Sequence, residues 1–386
     1  MFLSQINKRN PSLLNAAIHL KQLGDIAPDT YVLDLNAIEE NAVSMIMEAK
    51  KYGMKLYFML KQIGRNPLVA KRLMNLGFGG VVCVDVREAE TMHAAGIKIG
   101  HVGHLVQIPS DQVAKVVAMR PEYITVYTVE KAREINEACQ QQGIKQKLII
   151  RVIGENDFLY PSQYGGFLFS ELDEAIPALL SLDHVEIAGL TSFPCFLYDK
   201  DQHDIVATHN VETMERAAAR LKKDYAIDNL EWNMPSATCT RTIAKIVAAG
   251  GTQGEPGHGL TGTTPMHAYE QLEEKPAYVY VSEIAHHIGD KSYCYGGGYY
   301  RRSGMANAIV VKEEGKEYTK VRTPDMPSID YHFELNGSFP VGATVVMAFR
   351  TQIFVTRSHV AVVDGIQTGA PKLLGIFDSQ GKQIRG

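Results

Sequence analysis

Between residues 55 and 255 the chain shows one alternation eight times over. A short run rich in aliphatic, β-branched and aromatic residues is followed by a stretch with the apolar spacing of an amphipathic helix. The runs are KLYFML (55–60), GVVCV (80–84), HVGHLV (101–106), YITVYT (123–128), KLIIRV (147–152), EIAGLT (186–191), LEWNM (230–234) and GTQGE (251–255). Helical stretches such as NPLVAKRLMNLG, VEKAREINEACQQQG and ATCTRTIAKIVAAG lie between them, and several end in glycine, as helix C-caps commonly do. Eight β-α units in roughly 215 residues have the count and length of a (β/α)8 TIM-type barrel. An open doubly wound sheet fits less well: it usually has fewer strands, and its first β-α turn often carries a glycine fingerprint that is absent here.

After about residue 270 helical spacing fades. AYVYVSEIA, NAIVVKEE, GATVVMAFRTQIFV and HVAVVDGI are separated by turn residues and read as a β-domain. The expected fold is therefore α/β, with a barrel over residues 1–270 and a mostly β domain over 271–386. TYVLDL (30–35) is left over and free to join either, with residues 1–35 able to pack on the β-domain. The N-terminal MFLSQINKRNPSLLNAAIHLKQLG reads as one amphipathic helix without the continuous apolar run of a signal peptide. No stretch approaches the ~18 uncharged apolar residues of a membrane span. A net charge of -4 brings no basic surplus for nucleic acid or a membrane surface. The five cysteines are scattered with no C-x-x-C pair, which implies reduced thiols and a cytoplasmic chain.

In such barrels chemistry sits at the C-terminal ends of the strands, with a phosphate site often formed after strands seven and eight. After the first strand, Lys61 is either a desolvated amine able to form a Schiff base with an aldehyde or a side chain snorkelling to solvent. Arg65, four residues on, either holds an anion or lies on the surface. After the seventh strand, Ser236 and Thr238 offer hydroxyls and amides at the start of a helix. After the eighth, Gly257 and Gly259 allow backbone amides to approach an anion. Both segments also read as ordinary caps and turns. Glu255 ends the last strand and needs a partner, either a protonated ring nitrogen or a neighbouring cation. Together, a lysine at the mouth, a phosphate cradle and a carboxylate are the groups that pyridoxal 5'-phosphate requires.

At these residues the sequence resembles the fold-type III pyridoxal phosphate enzymes, the alanine racemase superfamily, and within it the YhfX-like branch. TYVLDLNAIEENA is similar to the family's N-terminal strand-helix. MLKQIGRNP takes the place of the lysine motif, which implies that Lys61 is the Schiff-base lysine, with Arg65 where racemases have a phosphate-binding tyrosine. NMPSA resembles the racemase ANSA segment, which makes Ser236 a phosphate ligand. The implied cofactor-binding set is Lys61, Arg65, Ser236, Thr238, Glu255, Gly257 and His258. GEPGHG looks like the decarboxylase form, with Glu255 on the pyridine nitrogen. CYGGGYYRR is similar to the racemase GYADGYPR, which implies Tyr295 as a catalytic residue beside Lys61. PSIDYHFEL resembles the racemase SMDQ segment, placing Ile329 and Asp330 near the substrate carboxylate, with Arg301 as a further candidate contact. In those enzymes this loop enters the partner's active site, so a homodimer acting on an amino acid is implied. Two departures set the chain apart. Ser192 stands where racemases have an imidazole, and their lysine and arginine after the fifth strand have no counterpart in RVIGENDFLYPSQYGGF beyond Arg151 and Gln163.

The resemblance implies an amino acid racemase or epimerase exchanging the α-proton between Lys61 and Tyr295 of the partner. Three alternatives stay open. Glu255 and Cys294, next to Tyr295, suit a decarboxylase of the same superfamily, although a buried inert thiol also explains Cys294. RTQIFVTRSHVAVVDG resembles metal-assisted aldolases and dehydratases at His359, but their second ligand position is Ala361. His101 and His104, three apart on one expected strand, would face opposite sides, so no metal is expected. Finally, GHVGHLVQIPSDQVAKVV is similar to a segment of non-catalytic pyridoxal phosphate-binding proteins, which lack the β-domain.

Overall fold

The computed structural model describes residues 1–386. Two compact units are present. One comprises Met45–Leu60 and Ala70–Gly257, and the other Met1–Ser44, Lys61–Val69 and His258–Gly386.

In the first unit all eight runs form strands: Lys55–Leu56 with Phe58–Met59, then Val81–Val82, Ile99–Val102, Tyr123–Val126, Gln146–Ile153, Val185–Thr191, Glu231–Asn233 and Gln253–Gly254. They are parallel and hydrogen-bonded in chain order. Closure occurs at the first strand. Lys55–Leu56 pairs with Gln253–Gly254, whereas Phe58–Met59 pairs with Val81–Val82. One strand interrupted at Tyr57 thus serves both edges of the sheet, which makes it a barrel. The strands are buried on both faces, which explains their near-continuous apolar character.

The helices follow from capping and periodicity. Val129–Gln142 starts at Thr128, whose hydroxyl accepts from the Lys131 amide at 3.2 Å, and ends at Gly143 with φ 63°. Ala132, Ile135, Ala138 and Cys139 share its buried face. Burial of Ile135 alone stabilises by roughly 1.5–3 kcal/mol.

The N-terminal end of the barrel is a closed polar assembly. Tyr57 Oη donates to Glu122 at 3.0 Å, and Glu122 pairs with Lys98 at 2.6 Å. Glu231 accepts from Lys55 at 3.0 Å and from Thr252 at 2.6 Å. The Tyr57 ring lies edge-on to His101 at 4.6 Å and sits against Gly100, where a Cβ would come within 2.3 Å of the ring. Burial pushes the His101 imidazole down to about 4.

In the second unit TYVLDL joins the β-domain. Thr30–Asp34 runs antiparallel to Tyr278–Ile288 and parallel to His359–Asp364. Within this sheet six strands, Tyr278–Ile288, Lys291–Tyr295, His332–Asn336, Gly315–Arg322, Asn307–Lys312 and Thr344–Met347, form a closed antiparallel ring. Two helices, Phe2–Arg9 and Pro11–Gln22, cover part of it. They bury Phe2, Leu3, Ile6, Leu13, Leu14 and Ile18 in one core with Val279, Val281, Val346 and Ala361.

The single N-terminal helix expected from sequence is therefore two. Pro11 disfavours helical backbone at Asn10, which takes φ -144° and caps the second helix by accepting from the Leu13 amide at 3.2 Å. No helix is long and apolar enough to cross a membrane. None of the five cysteines forms a disulfide, and all are buried.

Candidate active site

At the C-terminal end of the barrel a buried chain of hydrogen bonds crosses three strands. Thr191 ends the sixth strand, and Asn233 lies beside it in register in the seventh. The Thr191 hydroxyl donates to Asn233 Oδ1 at 2.8 Å, and Asn233 Nδ2 donates to Glu255 Oε1 at 2.9 Å. The backbone amide of Glu255 donates to Thr238 Oγ1 at 3.1 Å. The chain has a direction. A carboxylate only accepts, so the Asn233 amide group must face Glu255, and its oxygen is then free to take the Thr191 proton. The result fixes one carboxylate oxygen of a side chain that is almost wholly buried.

The second oxygen, Glu255 Oε2, lies 3.9 Å from Nε2 of His104, and both side chains are 1% exposed. The expectation that His101 and His104 alternate along one strand is corrected, because the strand stops at Val102. His101 is at the N-terminal end among Tyr57 and Tyr123, whereas His104 is beside Glu255 with its ring edge-on to Phe193 at 5.8 Å. Their separation comes from strand length, not from side-chain alternation.

Ser236 and Thr238 lie in the turn before helix Thr240–Ala248. Ser236 Oγ donates to the Phe196 carbonyl at 2.8 Å, so its lone pairs point away from that bond. Ala237 adopts φ 56°. The amides of Ser236, Ala237 and Thr238 donate to no other group of the chain. Successive unpaired amides around a left-handed residue, next to a helix start, are an anion-binding arrangement. Gly257 follows Pro256, whose carbonyl accepts from the Met59 amide at 2.9 Å and closes the barrel there. Ser192 is fully buried and accepts from Asn210 Nδ2 at 3.1 Å. Arg151 is buried, donating to Tyr127 Oη at 2.8 Å and to the Gln163 carbonyl at 3.1 Å.

In the other unit, Lys61 opens a tight turn, Lys61–Ile63, directly after the first barrel strand and is half-buried. His258 places Nδ1 3.0 Å from the Thr263 hydroxyl and Nε2 3.4 Å from the Gln352 amide. Burial, then the charges of Arg350 and Lys61, hold its imidazole well below the usual histidine range. Arg65 is buried. Its guanidinium lies 4.8 Å over the Phe354 ring and donates to Gln380 at 2.8 Å, an environment the sequence comparison with a phosphate-binding tyrosine did not anticipate.

Tyr295 ends strand Lys291–Tyr295, opposite His332, and is 41% exposed. Its neighbour Cys294 points the other way into the core, and burial pushes that thiol up to about 12. The three glycines that follow are there for space. A Cβ would lie 2.0 Å from the Asp330 carbonyl at Gly296, 1.9 Å from Asp29 at Gly297 and 2.4 Å from the Tyr280 ring at Gly298. Asp330 holds this loop. Its Oδ2 accepts from the amides of Gly297 at 3.1 Å and Tyr299 at 3.0 Å, and its Oδ1 pairs with Arg357 at 3.1 Å. The structure thus brings Tyr295, Ile329 and Asp330 into one loop cluster, but gives the Asp330 carboxylate an internal task. Ile329 is 57% exposed, and exposed Arg301 donates to the Met326 carbonyl at 3.3 Å. His359 lies in a strand and Ala361 in the core. The structure contains no group of three or more metal-ligating side chains arranged to hold an ion.

Residues 33–265 match the family model described as alanine racemase, N-terminal domain, and residues 279–373 match that described as YhfX-like, C-terminal domain. A relative from Escherichia coli (strain K12), the uncharacterized protein YhfX, is 43% identical over 387 residues, covering 100% of both chains. This chain is a YhfX-like member of the alanine racemase superfamily. Its fold is that of the solved members. A D-threonine aldolase from Filomicrobium marinum superposes with a TM-score of 0.72 at 18% identity, covering 93% of the YhfX-like chain and 96% of the aldolase. An alanine racemase from Clostridium difficile 630, in complex with cycloserine, gives 0.64 at 15% identity, covering 90% and 98%. The superfamily includes racemases, aldolases, dehydratases and decarboxylases.

Proposed function

We propose that the YhfX-like chain is a cytoplasmic, pyridoxal phosphate-dependent amino acid racemase or epimerase acting as a homodimer. The donor set fits that cofactor. The unpaired amides of Ser236, Ala237 and Thr238 suit a phosphate, with Gly257 and His258 as further candidates, and the oriented Glu255 carboxylate suits a protonated ring nitrogen. Lys61 would hold the aldehyde. When bound, the cofactor withdraws electron density from the α-carbon of an amino acid and makes its proton removable.

The chain's own groups then divide the work. Lys61 Nζ takes or returns the α-proton on one face. Tyr295 Oη of a second copy does so on the other. Asn233 and Thr191 hold Glu255 in a fixed orientation, and the Asp330 contacts hold the loop that carries Tyr295.

The observation that carries this reading is the alternation at the end of strand Lys291–Tyr295, with the phenol outward and the thiol inward. A second copy meets Tyr295, not Cys294. The glutamate at Glu255 favours the second reading, a decarboxylase, because a protonated ring is the stronger electron sink. A screen of L- and D-amino acids in deuterium oxide separates the two. The racemase reading expects solvent deuterium at the α-carbon and interconversion of enantiomers, with Tyr295→Phe losing exchange from one enantiomer. Carbon dioxide release without racemisation, or full exchange of both enantiomers by Tyr295→Phe, would sink it.

A further inference from the structure

We infer that His104 is a positioning residue for Glu255: its imidazole holds the second carboxylate oxygen in the orientation and ionised form that a cationic ring nitrogen requires. The inference rests on the reading of Glu255 given above. Three observations carry it.

The two oxygens of Glu255 have different neighbours. Oε1 takes the Asn233 amide, while Oε2 faces His104 Nε2 at 3.9 Å. A shift of about 1 Å would shorten that gap to a charge-assisted hydrogen bond. Next, both side chains are 1% exposed, and a buried carboxylate needs a compensating group to stay ionised.

Three titratable neighbours, Arg151, Cys195 and Tyr127, are engaged elsewhere or kept neutral. The Arg151 guanidinium is directed at Tyr127 Oη and the carbonyls of Gln163 and Phe193. Burial pushes the Cys195 thiol up, so it stays neutral, and the Tyr127 phenol is likewise raised by burial.

Finally, the position of His104 is built. Gly103, at φ 87°, leaves no room for a Cβ, which would meet the Thr125 carbonyl at 2.5 Å. Tyr127 Oη donates to the His104 carbonyl, and Arg151 in turn donates to Tyr127 at 2.8 Å. The imidazole edge is set against Phe193 at 5.8 Å. The backbone is thus held in place, and the buried ring packs edge-on to Phe193.

The test loads wild type, His104→Phe and His104→Gln with pyridoxal phosphate labelled with nitrogen-15 in the ring, and reads the ring-nitrogen resonance and cofactor retention without substrate. Wild type is expected to show a protonated ring nitrogen. His104→Phe should move the resonance toward the unprotonated position and weaken retention about tenfold, the worth of one hydrogen bond to a charged group. His104→Gln keeps an N–H donor and guards against misfolding of the phenylalanine variant. A shift in both variants means that charge matters, and a shift in His104→Phe alone means that a donor suffices; each supports the inference. Wild type with bound cofactor and both variants unchanged overturns the inference alone. Wild type that takes up no cofactor overturns the functional reading together with it.

Discussion

Asp330→Ala removes three hydrogen bonds from the loop that carries Tyr295: the amides of Gly297 at 3.1 Å and Tyr299 at 3.0 Å, and Arg357 at 3.1 Å. The side chains of Arg357 and Asp330 are 54% and 14% exposed, so the ion pair is largely screened and contributes about 0–1 kcal/mol. The two amide bonds end on a mostly buried carboxylate and contribute about 1 kcal/mol each. Local opening of the loop should therefore become about 2–3 kcal/mol easier. At about 1.4 kcal/mol per factor of ten, the amides of Gly297 and Tyr299 should exchange with solvent roughly thirty- to a hundredfold faster. Hydrogen exchange resolved to the 296–304 segment measures this directly, with the barrel amides as an internal control. The same variant should lose the proton exchange assigned to Tyr295 while keeping bound cofactor. Unchanged protection at both amides would refute the assignment of Asp330 as the loop's anchor. Faster exchange with undiminished turnover would refute the link between loop order and Tyr295.

Asn233→Leu removes the donor to Glu255 and strands the Thr191 hydroxyl, so pyridoxal phosphate retention should fall about tenfold in an absorbance titration. Burial pushes the His101 imidazole down to about 4 from its ordinary 6.5, so its contribution is complete above pH 6.5 and is lost as pH falls toward 4. The loss amounts to about 3 kcal/mol, and denaturation midpoints of His101→Phe should fall less steeply than wild type over that window. Glu231→Gln weakens the contacts to Lys55 and Thr252 at the N-terminal end, so stability should drop by about 1–2 kcal/mol in denaturant while cofactor retention stays unchanged.

The barrel was legible because the strands are mostly buried on both faces and the helices between them carry apolar stripes, some with side-chain caps such as Thr128 and Asp85. These are local properties, and all eight runs became strands. The break at Asn10–Pro11 was equally local, and reading the proline would have found it. What the sequence did not disclose depends on register. Thr191, Asn233 and Glu255 meet only because Thr191 lies in register with Asn233, Asn233 lies in register with Gln253, and Glu255 follows just past the end of the eighth strand. The available signal was weak: a threonine ending EIAGLT and an asparagine inside LEWNM, both polar in apolar runs. His104 was missed for a different reason. HVGHLV looks like a six-residue strand, but Gly103 takes φ 87° and ends it, which turns His104 out of the alternation. The resemblance places Asp330 near a substrate carboxylate, and the structure adds that its carboxylate accepts from the amides of Gly297 and Tyr299 in its own glycine loop.

The tyrosine loop shows how a motif and its physical cause differ. Residue resemblance proposed Tyr295 and left Cys294 as a competitor one position away. A strand sends successive side chains to opposite faces, so only one of the two can be presented outward. The register of Lys291–Tyr295 against Tyr278–Ile288 and His332–Asn336 puts Cys294 between Ile284 and Phe333, inside the closed ring. A register slip of one residue would reverse the two, but it would also expose the buried Ser292 and leave Phe333 without Cys294 beside it. The same packing that buries the ring's core therefore selects the phenol. The glycines, which cannot accept a Cβ without striking Asp29, Asp330 or Tyr280, keep the chain close enough for Asp330 to hold it. Tyr295 thus has an outward side chain on a backbone whose glycine loop is held by Asp330, as the proposed proton transfer to a second copy would require.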